Sequence, residues 1–266
     1  MVQDTSYFDE IVSAMSQERL ARYGSILNSA IPHVGFVILP YITIQHASAL
    51  LFPSLQIIEV CLRNKINTSI IEYFSEKPNN EHDPTLWYIW LIKEEKTKKK
   101  IDKAIDKATS EVSGRPVCQG DIISRINFSI WLSIIQEIKR DRYLWSEVSQ
   151  KVFSGQTRHG DKLPSVRDMI DTLKNIKTIR NRFSHHEPIW INRKIKNLND
   201  AEQHMKDLHE EILECLSWMS ACLYDVYTSG GAQYDKTFAN SLNISFNSCR
   251  AMSKITDDIC NNVTIK

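Results

Sequence analysis

Apolar residues along much of the chain recur every three or four positions. Leu55, Ile58, Leu62, Ile66 and Ile70 form one such stripe, and this spacing is typical of one face of a helix. It predicts a helix over about 44–74, which Pro53 bends or restarts. A second stripe predicts a helix over 121–140; its members are Ile122, Ile126, Ile130 and Ile134.

Caps and prolines suggest where other helices begin and end. Ser16 is a good N-cap for a helix over 16–28, and Pro188 disfavours helical geometry at Glu187. Helices are also predicted over 94–112, from 166 to about 186, over 200–227 and over 232–260. Residues 141–164 are expected to be irregular. Residues 31–42 are expected to form a loop, with a short strand as the lesser alternative.

The composition agrees with a helical protein. The 266 residues include only 8 Gly and 8 Pro, and many short strands joined by tight turns would need more of both. The predicted fold class is therefore all-α, as a single domain over 1–266. The stretch SGRPVCQG at 113–120 is typical of a linker and suggests a subdivision into 1–113 and 119–266.

Charge, cysteines and apolar runs limit the classes of function. The formal net charge is +1, so any nucleic-acid binding must come from a local patch. Six cysteines without a C-x-x-C pair suit reduced, buried thiols in a cytoplasmic protein. The N-terminus is acidic and polar, unlike a secretory signal. No uninterrupted apolar run reaches about 18 residues, so we expect no membrane span.

The densest chemical cluster lies at a predicted helix end, in the sequence RNRFSHHEPIW at 180–190. Asn181 and His185 are four residues apart and share a helical face, as do Arg182 and His186. Arg180 and His185 lie about 140° apart around the axis. They can flank a groove but could hardly pair directly. A ligand therefore lies between them, or a second copy of the segment completes the site.

Imidazole beside a permanent cation suits phosphodiester cleavage. Imidazole can move protons at a 2′-hydroxyl or at the leaving oxygen, and guanidinium stabilises negative charge on phosphate. The 2′-hydroxyl supplies the nucleophile, so no metal or other cofactor is needed. The structural alternative is a surface helix end, where cations and histidines favour the helix dipole. The sequence has no Gly-rich phosphate loop, nucleophile elbow or H-E-x-x-H motif.

The cluster also resembles a known family. Arg180-x4-His185, with Asn181 after the arginine, resembles the R-x(4–6)-H motif of HEPN domains. The longer string RNRFSHHEPIW is similar to the C-terminal signature of the bacterial Abi-like (AbiD/AbiF-type) abortive-infection proteins. Blocks at 16–20, 59–64, 116–121 and 128–131 resemble other parts of that family, and the similarity covers about residues 8–225. Ser129 and Ile130 stand where the family has a glycine between Phe and Trp.

The resemblance implies a HEPN-type helical bundle with additional N-terminal and C-terminal helices. It also implies a phage-defence toxin with metal-independent ribonuclease activity, which acts on RNA as a homodimer. Carried over by position, Arg180 and His185 are the catalytic pair and Asn181 is their polar support. His186 matches the second histidine of the family signature, and Arg182 is a further supporting candidate.

Other residues have both a structural and a functional interpretation. Glu59 and Arg63 form an intrahelical ion pair, or they position the Arg180 segment or contact RNA, and the neighbouring Asn64 belongs to the same question. A short basic cluster after the motif is a candidate RNA contact or a solvated surface; its members are Arg193, Lys194 and Lys196. Two other functions stay open. One is a non-catalytic module that binds a noncoding RNA, and the other is a toxin or antitoxin component that contacts only protein.

Overall fold

The computed structural model of the chain describes residues 6–27, 33–78, 81–158, 162–190, 192–229 and 234–264, with the side chains of all but 234–235 and 255–264. These residues form helices and connecting segments without any strand, which confirms the all-α fold class. The α-helices are α1 (Ser6–Met15), α2 (Gln17–Gly24), α3 (Ile38–Ala49), α4 (Phe52–Ser75), α5 (Trp87–Trp90), α6 (Glu95–Glu111), α7 (Gln119–Arg125), α8 (Phe128–Ile138), α9 (Arg142–Val152), α10 (Val166–Ser184), α11 (Leu198–Met219), α12 (Ala221–Ser229) and α13 (Tyr234–Thr264). Short 3₁₀ turns lie at Val34–Val37 and Pro84–Leu86.

The chain forms two compact units. The first unit comprises Met1–Ser54, Asn181–Glu211 and Val226–Lys266, and the second comprises Leu55–Arg180 and Ile212–Asp225. The boundaries between them fall inside α4, α10, α11 and α12. The units follow packing and not chain order, so the sequence-based subdivision into 1–113 and 119–266 stays a prediction.

The core of the second unit is built on the apolar stripe of α4. Ile58, Leu62 and Ile66 are fully buried, and burying a side chain of this kind contributes about 1.5–3 kcal/mol. The Trp131 indole N–H donates to the Ile126 carbonyl at 3.0 Å. Trp87 lies beside Trp131, with ring centroids 6.1 Å apart. The Trp87 indole N–H also donates to the Asn67 side chain of α4 at 2.9 Å, which ties the tryptophan pair to this helix.

Two predictions in the second unit were wrong. The expected helix over 121–140 is divided, because Asn127 caps a new helix and its side chain accepts the Ile130 N–H at 3.2 Å. The stretch 141–164 is not irregular throughout, because α9 begins after Asp141. The Asp141 carboxylate accepts the N–H groups of Tyr143 and Leu144, both at 3.0 Å. In both cases a side-chain cap decides where the helix begins.

The first unit contains α1 to α3, the end of α10, most of α11 and α13. Ser16 caps α2 as predicted, and its hydroxyl accepts the Arg19 N–H at 3.3 Å. The predicted loop over 31–42 was wrong for its described part, since α3 begins at Ile38. Pro40 lies in the first turn of α3, where the missing N–H has no helical acceptor to lose. The start of α4 next to Pro53 agrees with the predicted restart.

The helices of Val34–Ser75 include an 18-residue window with a mean hydropathy of 1.6, of which 39% is buried. By length and composition this stretch is apolar enough to cross a membrane. The buried core helix of a soluble protein meets the same criteria of length and composition. The expected lack of a membrane span therefore stays a prediction.

Candidate functional site

Helix α10 carries the start of the R-x4-H segment. Ser165 caps it, with its hydroxyl 3.2 Å from the Asp168 N–H. Leu173 and Ile176 are fully buried along one face. The boundary between the two units falls after Arg180. The surroundings of Arg180 therefore belong to the second unit, and those of Asn181 and the residues after it belong to the first.

In the second unit, Arg180 lies against the carboxylate of Glu59. The Nε of Arg180 is 3.3 Å from Oε2 of Glu59, and the side chains are 35% and 20% exposed. The other carboxylate oxygen accepts the backbone N–H of Phe128 at 3.0 Å. Phe128 begins α8, where N–H groups lack partners within the helix. One carboxylate therefore joins α4, α8 and α10.

Glu59 had two interpretations, an intrahelical ion pair with Arg63 and a contact with the Arg180 segment, and the observed ion pair distinguishes them. Its ion-pair partner in the structure is Arg180 and not Arg63, although Arg63 has the favourable helical spacing. The Nε of Arg63 is buried without a hydrogen-bond partner among the described residues. Asn64 is exposed and lines a cavity of about 810 Å³ beside α4, with an apolar wall that includes Ile57 and Val60. No pattern in the sequence indicates this cavity.

In the first unit, α10 ends in a tight turn in which His185 follows the last helical residue and His186 leaves helical geometry. The His186 N–H donates to the Phe183 carbonyl at 3.1 Å, and the Glu187 N–H donates to the Arg182 carbonyl at 2.9 Å. His186 has a φ of 54°. This is a Schellman ending, in which the left-handed position is usually glycine. A side chain there costs roughly 1–2 kcal/mol.

The turn corrects one expectation. Arg182 and His186 were predicted to share a helical face, but α10 ends at Ser184 and the left-handed His186 leaves helical geometry. Asn181 and His185 keep the expected relation, since the His185 N–H donates to the Asn181 carbonyl at 3.0 Å. Both imidazoles are exposed and are therefore accessible to a large ligand.

Apolar contacts of the first unit hold the backbone on either side of the histidines. Phe183 stacks on Phe52 with ring centroids 5.0 Å apart and an angle of 16°. After the turn, Ile189 and Trp190 are 2% and 1% exposed. Trp190 meets Tyr23 of α2 edge to face at 5.2 Å. The exposed histidines are thus presented from a packed base.

The basic cluster that follows the motif is also exposed. Its backbone is fixed by local bonds, since the Lys194 N–H donates to the Asn192 side chain and the Lys196 N–H donates to Asp200, both at 2.8 Å. The side chains of Arg193, Lys194 and Lys196 are open to solvent. This exposure suits either of the interpretations left open for them.

Two further features bear on the chemistry. No three His, Cys, Asp or Glu side chains are arranged to hold a metal ion within the part of the chain that the structure describes.

The cysteine prediction was only partly right. Cys61, Cys215 and Cys249 are buried free thiols, but Cys118 and Cys222 are exposed.

Comparison with known proteins found no match to a family model, to a curated protein or to a solved structure. The resemblance of the motif to the Abi-like and HEPN proteins therefore stays an expectation. The Glu59–Arg180 ion pair and the left-handed turn at His186 are observed in this chain directly and do not depend on that resemblance.

Proposed function

We propose that this chain is a metal-independent endoribonuclease of the HEPN type that acts in phage defence. The observation that supports this most is the contact between Glu59 and Arg180 at 3.3 Å. A fixed carboxylate restrains the guanidinium, and a restrained cation stabilises developing negative charge without reorganisation during the reaction. A second support is the pair of exposed imidazoles that follows on the same segment.

The proposed reaction is internal transesterification of RNA. The 2′-oxygen loses its proton and bonds to phosphorus, and the bond from phosphorus to the 5′-oxygen breaks. The 5′-oxygen then takes up a proton, which leaves a 2′,3′-cyclic phosphate and a free 5′-hydroxyl. His185 moves a proton in this scheme and Arg180 stabilises the phosphate charge. Asn181 supplies a polar contact, with Arg182 and His186 in support.

We further propose that two copies of the chain form the site together. Residues separated by five positions lie about 140° apart around a helix, so a single segment does not readily direct both groups at one phosphate. In a homodimer, one copy can supply Arg180 and the other can supply His185. The proposed homodimer acts in the cytoplasm, with RNA as its partner. Mixing the Arg180→Ala and His185→Ala proteins should then give more activity than the sum of the two variants measured separately. Additive activity in the mixture contradicts a shared site.

The main test is RNA cleavage by the purified protein in EDTA. Arg180→Ala and His185→Ala should each lower the rate by at least about a hundredfold, since positioned proton transfer and charge stabilisation each contribute on this scale. Arg167→Ala, at the other end of α10, and His46→Ala, an exposed histidine of α3, serve as matched controls. Equal activity in all four variants would reject the site.

A non-catalytic RNA-binding module is the second candidate. The exposed Arg193, Lys194 and Lys196 favour it, because contacts with phosphate need no cleavage. One intact RNA that co-purifies with the protein and remains bound to His185→Ala would support this function. Absence of any salt-dependent RNA binding would instead favour a component that contacts only protein.

A further inference from the structure

A cleft in the first unit joins α2 to the turn that carries the histidines. It has a volume of about 200 Å³ and is lined by Ser16, Glu18, Arg19, Arg22, His186, Glu187 and Pro188. Across it, Nη1 of Arg19 donates to the His186 carbonyl at 3.3 Å. The contact therefore reaches the residue with a left-handed backbone that directly follows the R-x4-H motif.

The hydrogen bond is one half of a paired contact. Arg19 and Tyr23 are four residues apart on α2 and so lie on the same face. Arg19 contacts His186, and Tyr23 packs against Trp190 at 5.2 Å. Tyr23 is only 1% exposed. Helix α2 is thus held at two points along the segment that leaves the turn, and the Arg19 bond fixes the end nearer the histidines.

The charges around the cleft indicate that Arg19 positions the turn and does not simply attract an anion. The guanidinium groups of Arg19 and Arg22 are opposed by the carboxylates of Glu18 and Glu187. The fixed charges therefore cancel, and a phosphate would gain little from the cleft as a whole. The hydrogen bond to a backbone carbonyl, by contrast, acts directly on the direction of the turn. Residues with unusual backbone angles persist only where surrounding contacts hold them.

We propose that Arg19 is a positioning residue of this site. Its hydrogen bond to the His186 carbonyl holds the left-handed turn in one orientation and so sets the directions of the His185 and His186 imidazoles. This inference rests on the proposed ribonuclease function. Arg19 acts through the turn and bonds to neither the scissile phosphate nor the 2′-hydroxyl.

The kinetic test compares Arg19→Ala with Arg22→Ala, which removes the same charge from the same helix and cleft. Arg19→Ala should lower kcat about tenfold to a hundredfold, since small misplacements of catalytic groups have effects of this size. KM should change less than about twofold, because uniform binding of RNA is retained. Arg19→Lys keeps a donor and should recover part of kcat. Equal kcat values for the two alanine variants, or a loss confined to KM, would overturn the inference.

A second readout separates this inference from the proposed function. Arg19→Ala should shift the amide NMR signals of His186 and Glu187, whereas Arg22→Ala should leave them in place. Unchanged signals in Arg19→Ala overturn the positioning role whether or not the protein cleaves RNA. If Arg180→Ala abolishes cleavage and Arg19→Ala does not, only the positioning role fails. If Arg180→Ala cleaves normally, the proposed function fails and the amide shifts still decide the role of Arg19.

Discussion

Glu59 and Arg180 form an ion pair within the second unit, with Oε2 and Nε 3.3 Å apart. We expect Glu59→Gln to keep an acceptor for the Phe128 N–H but to direct an amide at the guanidinium. The rate of RNA cleavage should fall about tenfold, which corresponds to ~1.4 kcal/mol of transition-state stabilisation. The free energy of unfolding in urea should fall by about 1 kcal/mol.

Glu72→Gln is the matched control for this change. Glu72 also lies on α4 and pairs with a cation, Lys151, at 2.9 Å, but its side chain is 48% exposed. An exposed pair of this kind contributes roughly 0–1 kcal/mol, so cleavage should be unaffected. A similar loss of cleavage in both variants would show that Glu59 has no special relation to Arg180. Adding Glu59→Gln to Arg180→Ala should cause no further loss of activity.

Substitutions of the left-handed His186 should affect the stability and the activity of the protein differently. His186→Gly removes the steric cost of a side chain at a φ of 54° and should raise the free energy of unfolding by about 0.5–1 kcal/mol. His186→Ala keeps the strained backbone and should not stabilise the protein. Both remove the imidazole, so both should lower cleavage equally if His186 supports the reaction. A fall in the melting temperature of His186→Gly would contradict the assigned backbone conformation.

His204 on α11 should make the protein less stable in mild acid. Burial lowers the pKa of this imidazole below its ordinary value of 6.5, and the charge of Arg182 lowers it further against the opposing effect of Asp207. The unfolded chain therefore binds the proton more readily, and stability falls as the pH drops below about 6.5.

The melting temperature between about pH 7.5 and pH 5.5 tests this effect. The wild-type protein should lose more than His204→Gln, which cannot bind the proton. Parallel curves for the two proteins would show that His204 does not contribute.

Cys249 on α13 should resist alkylation. Burial raises the pKa of its thiol to about 11, and the reactive form is the thiolate. Cys118 is exposed. At about pH 8, mass spectrometry should find Cys118 labelled by iodoacetamide well before Cys249. Comparable rates for the two cysteines would contradict the burial of Cys249.

Local signals explain what could be predicted from the sequence. The α4 stripe, the Ser16 cap and the end of α10 near Pro188 depend on residues within a few positions of one another. The misplaced boundaries near Asn127 and Asp141 were also local. Asn127 and Asp141 are both good N-cap residues. The continuous apolar period over 121–140 outweighed the first signal, and the apparent irregularity of 141–164 outweighed the second.

Contacts between distant segments explain what could not be predicted. The residue types of the candidate site were visible in the sequence, but no periodicity indicates that Glu59 meets Arg180 or that Arg19 meets the His186 carbonyl. The left-handed turn was also hidden, because histidine at that position is less usual than glycine. These relations depend on tertiary packing, which a pattern within one helix cannot specify.

The packing of α13 against α3 in the first unit has a consequence for synthesis of the protein on the ribosome. The Ser253 hydroxyl donates to the Leu27 carbonyl at 2.9 Å, and Cys249 lies 4.0 Å from the Pro40 carbonyl. The apolar N-terminal helices must therefore wait for a partner that is translated some two hundred residues later. Such late pairing slows folding and leaves apolar surface open to chaperones. A nascent chain of this design would acquire its mature first unit only after most of its residues had been made.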